Sequence, residues 1–226
     1  MGIVTIQNHT TLHPIAMIGE EAGVCWGADT TSLHKNVKRG KKCLSDGHFR
    51  TSEFPDIYMV LDGYSARVIR EWYTHIGGAP TRVQESTRYI NYQNFDYIVP
   101  PSISRNESAN MVYETCMDNI SLAVTTLTEH YGVPKEDAAN LLPLGMTTGI
   151  CCKHNARNLM NMFEQRLCTR AYWEYRDDIM KTLYQELHDY SEEWAVLCEL
   201  IFKCKCDKCG YCLEEYSCGR YPKLDE

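Results

Sequence analysis

Residues Ser65–Tyr92 read SARVIREWYTHIGGAPTRVQESTRYINY, and this stretch carries the reading of the whole chain. Asp62-Gly63 closes a short β-prone run, Ile57–Leu61. Ser65 can cap a helix through Tyr73, with Val68, Ile69 and Trp72 on one face. Gly77-Gly78-Ala79-Pro80 is a loop by composition, and glycines there let backbone approach a ligand closely. Arg82, Gln84, Glu85, Ser86, Thr87 and Arg88 crowd after it. Amides, hydroxyls and guanidinium groups in one loop suit a phosphate, although a plain polar connection has the same composition. Arg88–Val99 is rich in Tyr, Ile, Phe and Val and reads as extended, closed by Pro100-Pro101.

Upstream, Val4–Gln7 reads as a strand and Pro14–Ala22 as a helix that Gly23 follows. Lys35–Leu44 reads as a second helix. Downstream, Val112, Cys116, Ile120, Val124 and Leu127 recur every three or four residues, which predicts a helix from Glu107 to Tyr131. Gly132 stops it and Pro134 starts a short helix through Leu142. Asn155–Tyr190 reads as continuously helical, and Trp194–Phe202 as a last helix. The class is α/β with more helix than strand, in one domain over residues 1–226 with a Cys-rich tail at 203–226.

A second informative stretch is Asn155–Arg176, NARNLMNMFEQRLCTRAYWEYR. On a helix Arg157 and Asn161 share a face, and so do Arg166 and Arg170. Glu174 stands four residues beyond Arg170 and can pair with it, which leaves Arg166 without an obvious local partner.

The chain carries a net charge of −7, which argues against long nucleic acid as a partner. No run of ~18 apolar residues suggests a membrane span, and the N-terminus lacks the layout of a secretory signal. Basic runs at Lys35–Lys42, Arg67–Arg88 and Arg157–Arg176 fit a small anion or, equally, solvated helix faces. Of 12 cysteines, five are Cys204, Cys206, Cys209, Cys212 and Cys218. Their spacing suits a structural zinc or a set of redox-labile thiols, and both readings stay open.

Together these segments resemble the flavin-dependent thymidylate synthases, particularly clostridial and phage-like members. The likeness rests on His75, on Ser86-Thr87-Arg88-Tyr89, on Asn155, Arg157, Asn161 and Arg166, on RLCTRAYWEYR (166–176), and on AGVCWGAD near residue 22 and the final SCGR. It implies a helix-rich α/β domain with a small central sheet, assembled as a homotetramer whose active sites lie between subunits. It implies FAD as cofactor, and NADPH and 5,10-methylenetetrahydrofolate as co-substrates in methylating dUMP to dTMP. Ser52, Thr74, His75, Ile76, Gln84, Asn155, Arg157 and Asn161 are the implied FAD contacts. Glu71, Gln84, Glu85, Ser86, Thr87, Arg88 and Arg166 are the implied dUMP contacts, with Arg166 as the catalytic residue at the uracil edge. No metal and no membrane are expected, and the location is cytoplasmic, bacterial or that of a phage host. The family pattern has arginine on both sides of the histidine, whereas Thr74 and Ile76 stand here. That departure leaves room for hydroxymethylation as the alternative chemistry, with Arg82 able to return one positive charge.

Overall fold

Why each segment takes its shape is visible in a computed structural model, which describes residues 2–224; Met1 and the tail's end, Asp225 and Glu226, lie outside it. In chain order the elements are β1 (Ile3–Ile6), α1 (Pro14–Cys25), α2 (Leu33–Ser45), β2 (Asp56–Ser65), α3 (Ala66–Trp72) and β3 (Thr81–Gln84). Then come α4 (Pro101–Ser104), α5 (Glu107–Thr125), α6 (Lys135–Ala138), β4 (Thr147–Asn155) and α7 (Ala156–Arg166). The chain closes with α8 (Lys181–Tyr190), α9 (Glu192–Ile201) and α10 (Lys205–Cys209). The four strands form one antiparallel sheet in the order β1-β2-β4-β3. Residues cluster into two compact units: a middle one of Leu61–Thr74 and Val83–Ile150 with Gly2, and a terminal one of Ile3–Val60, His75–Arg82 and the chain from Cys151 onward.

In the terminal unit α1 begins at Pro14, whose missing N–H is harmless at a helix start. His13 offers no side-chain cap. Instead Glu193, from α9, accepts hydrogen bonds from the backbone N–H groups of Ile15 and Ala16, both at 2.8 Å. A carboxylate at that end also suits the helix dipole. The helix runs past Gly23, because α1 and α2 need glycine for contact rather than for a stop. A Cβ on Gly19 would lie 1.8 Å from the Asn36 carbonyl oxygen, and one on Gly40 2.1 Å from that of Ile15. The core holds Ile15, Ile18, Ile57, Met59, Phe163, Tyr175, Ile179, Leu183 and Trp194, all fully buried. Phe163 stacks on Phe202 at 4.5 Å, and Trp194 donates Nε1–H to the Thr11 carbonyl at 2.7 Å.

The expected unbroken helix over 155–190 ends at Tyr190 as read, but it is corrected at its start and by a break after Arg166. Asn155 closes β4, whose alternate residues Ile150, Cys152 and His154 are buried, and the helix starts only at Ala156. It stops at Arg166, so Leu167 and Ala171 leave the apolar row. The stop is held by Arg176, whose Nη1 donates to the Thr169 carbonyl at 2.8 Å.

In the middle unit Ser65 caps α3, its Oγ accepting from Val68 N at 3.2 Å, and Val68, Ile69 and Trp72 are fully buried. β2 runs through Asp62-Gly63 rather than turning there; Gly63 takes φ +72° within the strand. The expected strand over 88–99 is absent. Tyr89 and Ile90 both donate backbone N–H to the Ser86 carbonyl at 3.1 Å, and Asn91 Oδ1 accepts from Gln93 N at 3.1 Å. Local turns thus consume groups a ladder would need, and only Tyr97 forms a bridge, to Met146. The strand lies earlier, at β3. Asn106 caps α5 through Ala109 N at 3.1 Å, and the helix ends in a π-turn over Thr126–His130. Only Met117 and Val124 of α5 are buried, while Met111, Val112 and Leu122 are each more than 60% exposed.

Candidate active site

Chemistry in the terminal unit gathers around His75. The ring is buried, and Arg166, at the end of α7, donates Nε–H to His75 Nε2 at 3.0 Å. The Arg166 guanidinium lies 4.7 Å over the Tyr175 ring, a cation–π contact that strengthens as water is excluded. Arg82 Nη1 reaches the His75 carbonyl at 3.5 Å. Burial, then the charges of Arg166 and Arg82, push the His75 pKa down to about 4. The ring is therefore neutral at pH 7. Because Nε2 accepts from Arg166, its one proton sits on Nδ1.

His154, on β4, is buried and bonds Asn158 Oδ1. Burial holds its pKa down at about 4; the Asn158 bond opposes this, and the charges of Arg82 and His75 add to it. Asn155 caps α7 by accepting from Asn158 N at 2.8 Å, and its Nδ2 donates to the Gly78 carbonyl at 3.4 Å. The chain His154–Asn158–Asn155–Gly78 thus ties the glycine loop to the start of α7. Gly78 takes φ +74°, and a Cβ there would lie 2.6 Å from Asn155 Nδ2, so both the backbone angle and the space call for glycine. Ala79 follows at φ +49°. Beside the α7 start, Ser52 is fully buried, and neither its Oγ nor the Thr51 Oγ1 has a hydrogen-bond partner among the described residues. Buried orphan hydroxyls are rare in native proteins, and a polar ligand would satisfy these.

Within the middle unit the loop after β3 is held by Glu85. Its backbone N–H donates to the Gly149 carbonyl at 3.0 Å, and its Oε2 accepts from Gly149 N at 2.8 Å. Gln84 Nε2 donates to Thr148 Oγ1 at 3.3 Å. Ser86 Oγ accepts from Arg88 N at 3.3 Å, and Thr87 follows in the same turn. Arg88 extends to Glu136 at 2.7 Å, both side chains more than half exposed. A cavity of about 240 Å³ opens here, lined by Asp62, Glu85, Asn91, Tyr92, Asn94 and Thr148. Glu71 pairs with Arg67 at 3.6 Å, and its carbonyl accepts from Thr74 Oγ1 at 2.7 Å.

Of the expected site residues, the terminal unit brings His75, Asn155 and Arg166 together and buries Ser52. Arg157 instead pairs with Glu53 at 3.0 Å, while Asn161 and Ile76 are exposed. Arg170 pairs with Glu214 at 3.3 Å, not with Glu174, which is buried. Arg166, without a local partner in sequence, finds one in His75. Sequence reasoning missed His154, Asn158 and Tyr175. The Asn158 signal was present, since position 158 is where an N-cap at Asn155 delivers its bond.

A family model described as "Thymidylate synthase complementing protein" matches residues 8–190. The flavin-dependent thymidylate synthase of Nitratidesulfovibrio vulgaris (Hildenborough) is 33% identical over 192 residues, covering 79% of this chain and 74% of that protein. The chain belongs to the flavin-dependent thymidylate synthases. Among other members of that family, the Clostridium tetani protein is 28% identical over 199 residues, covering 78% of this chain and 79% of its own. The crystal structure of the Helicobacter pylori flavin-dependent thymidylate synthase ThyX complexed with FAD and dUMP shares the fold. Its TM-score is 0.67 at 19% identity, with 88% of this chain and 99% of that one covered. In this flavin-dependent thymidylate synthase the cations around His75 come from Arg82 and Arg166, while Thr74 and Ile76 occupy the flanking places.

Proposed function

We propose that the chain reductively methylates dUMP to dTMP with 5,10-methylenetetrahydrofolate and NADPH, using FAD. The observation that carries this reading is the part-buried Arg166–His75 pair set beside the Gly77-Gly78 loop and the α7 cap, in a chain of this family. When bound, FAD supplies the redox and one-carbon transfer chemistry. The residues fit such a group: Ser52 has an orphan buried hydroxyl, and Asn155 and His75 present polar atoms. Ser52, Thr74, His75, Ile76, Gln84, Asn155, Arg157 and Asn161 are assigned to FAD.

Glu71 and the loop Gln84–Arg88 are assigned to dUMP. Arg88 gives its phosphate a charge-assisted hydrogen bond in place of the exposed contact with Glu136. Arg166 is assigned to the O2/N3 edge of uracil. A guanidinium held there stabilises negative charge on the ring and so raises electron density at C5. Stacking on Tyr175 and the bond to neutral His75 keep it oriented before substrate arrives. Ser86, whose Oγ accepts from Arg88 N, is assigned as a substrate contact rather than a nucleophile, a role that would call for an adjacent activating base.

The same reading makes the chain one catalytic domain of a cytoplasmic homotetramer with sites shared between subunits. The exposed apolar face of α5, with Met111, Val112 and Leu122, supports burial against other copies. Among the described residues no helix is long and apolar enough to cross a membrane.

The test mixes purified protein with FAD, NADPH, methylenetetrahydrofolate and dUMP and weighs the nucleotide product. A methyl increment is expected, a hydroxymethyl increment would assign the alternative chemistry, and unchanged dUMP with flavin bound would end the reading. Mixing inactive Arg88→Ala and Arg166→Ala chains tests the shared site: mixed tetramers recover activity only if one site draws these residues from different subunits.

A further inference from the structure

The C-terminal tail, with its cluster of thiols, lies beyond the stretch the family model matches. In the terminal unit a cavity of about 340 Å³ is lined by Cys168, Cys204, Cys206, Cys212 and Cys218. Two of these touch: the Cys206 and Cys204 sulfurs are 3.4 Å apart. Cys204 is buried, while Cys206 is half-buried and faces the cavity. Lys205, Arg170 and Arg220 line it together with Glu164 and Glu214, so charges of both signs face the thiols; Arg170 pairs with Glu214 at 3.3 Å and Arg220 with Asp207 at 2.8 Å. All twelve cysteines are free thiols, and among the described residues no three His, Cys, Asp or Glu side chains stand where they could hold a metal.

We propose that Cys204 and Cys206 form a dithiol modification site that a small disulfide of the glutathione type oxidises to an intramolecular disulfide. The assignment is independent of the flavin and nucleotide reading. The sulfurs need to close by about 1.4 Å to reach a covalent S–S bond of ~2.05 Å. Cys206 is the attacking group because it is the more exposed of the two, Cys204 being buried. Its thiolate attacks one sulfur of the reagent, the reagent's S–S bond breaks, and the first thiolate leaves with the proton Cys206 gave up. Cys204, buried against that sulfur, then attacks Cys206 in the mixed disulfide. Its proton goes to the second departing thiolate. Two protein thiols and one disulfide thus become one protein disulfide and two small thiols, and two electrons pass from the pair to the reagent. Burial raises the Cys204 thiol to about 11, which suits a group that waits to resolve a mixed disulfide rather than one that attacks first.

The experiment uses the full chain, purified in reductant, desalted, and incubated with oxidised glutathione. Trypsin cleaves after Lys203, Lys205 and Lys208, so Cys204-Lys205 and Cys206-Asp207-Lys208 separate unless the disulfide joins them. The expected result is loss of two of the twelve thiols and recovery of the joined peptides. Cys204→Ser is expected to stop at a stable mixed disulfide on Cys206, and Cys206→Ser to give no joined peptides while unfolding at the parent's temperature. No loss of thiols, or a disulfide mapped to Cys168, Cys212 or Cys218, would overturn the assignment. So would stoichiometric zinc in the purified chain that shields the pair until a chelator removes it.

Discussion

Arg166 Nε donates to His75 Nε2 across 91 residues of sequence at 3.0 Å, and this bond fixes the state of both groups. The guanidinium keeps a proton off Nε2, and the bare nitrogen aims the guanidinium. Arg166→Ala is expected to raise the His75 pKa from about 4 toward its ordinary value of 6.5, read by NMR titration. The same variant should bind FAD and lose turnover on dUMP by at least ~10²-fold, the scale for one lost electrostatic contact in a transition state. A near-normal rate removes Arg166 from the mechanism.

Acid sensitivity follows from His75 and His154 together. Both sit at about 4 in the fold against 6.5 when free. Below 6.5 the unfolded chain takes up protons that the folded chain refuses. Stability is therefore complete above pH 6.5 and declines as pH falls to about 4, by up to ~1.4 kcal/mol per pH unit for each ring. Denaturant midpoints at pH 7 and pH 5 check this. His154→Gln should flatten the dependence by about half, and equal midpoints at the two pH values would show that the rings take protons within the fold.

Gly78→Ala sets a methyl group 2.6 Å from Asn155 Nδ2 at φ +74°. Strain of ~1–3 kcal/mol is expected, seen as a lower unfolding temperature. Because the loop is assigned to flavin, FAD binding followed by fluorescence should weaken more than dUMP binding. An equal loss for both ligands would detach the loop from the flavin.

Arg88 separates binding from stability. Its partner Glu136 is half-exposed, and such pairs contribute ~0–1 kcal/mol. Arg88→Ala should thus leave the unfolding temperature nearly unchanged while weakening dUMP by ~1.5–3 kcal/mol, the size of a lost charged hydrogen bond. Calorimetry with dUMP decides, and unchanged affinity would move the phosphate elsewhere.

Ser86→Ala is expected to keep measurable turnover, since Ser86 Oγ serves a turn through Arg88 N. Complete loss of activity with dUMP still bound would restore Ser86 as a nucleophile.

By itself the sequence determined what local chemistry controls. Ser65 names its own helix start, Pro14 does the same, and the three-to-four spacing of Val112 through Leu127 draws α5. The family is likewise legible, because its motif residues stand in order along the chain. Tertiary structure decided the rest. β4 went unread over Thr147–His154, and the helical reading took in its last residue, Asn155, because burial on alternate residues can be judged only once neighbours are placed. The strand expected at 88–99 gave way to turns whose side chains satisfy the backbone. Arg166 meets His75, and Cys204 touches Cys206 at the edge of a shared cavity, through packing that no periodicity encodes: charge, burial and orphan hydroxyls exist only after distant segments exclude water from one another.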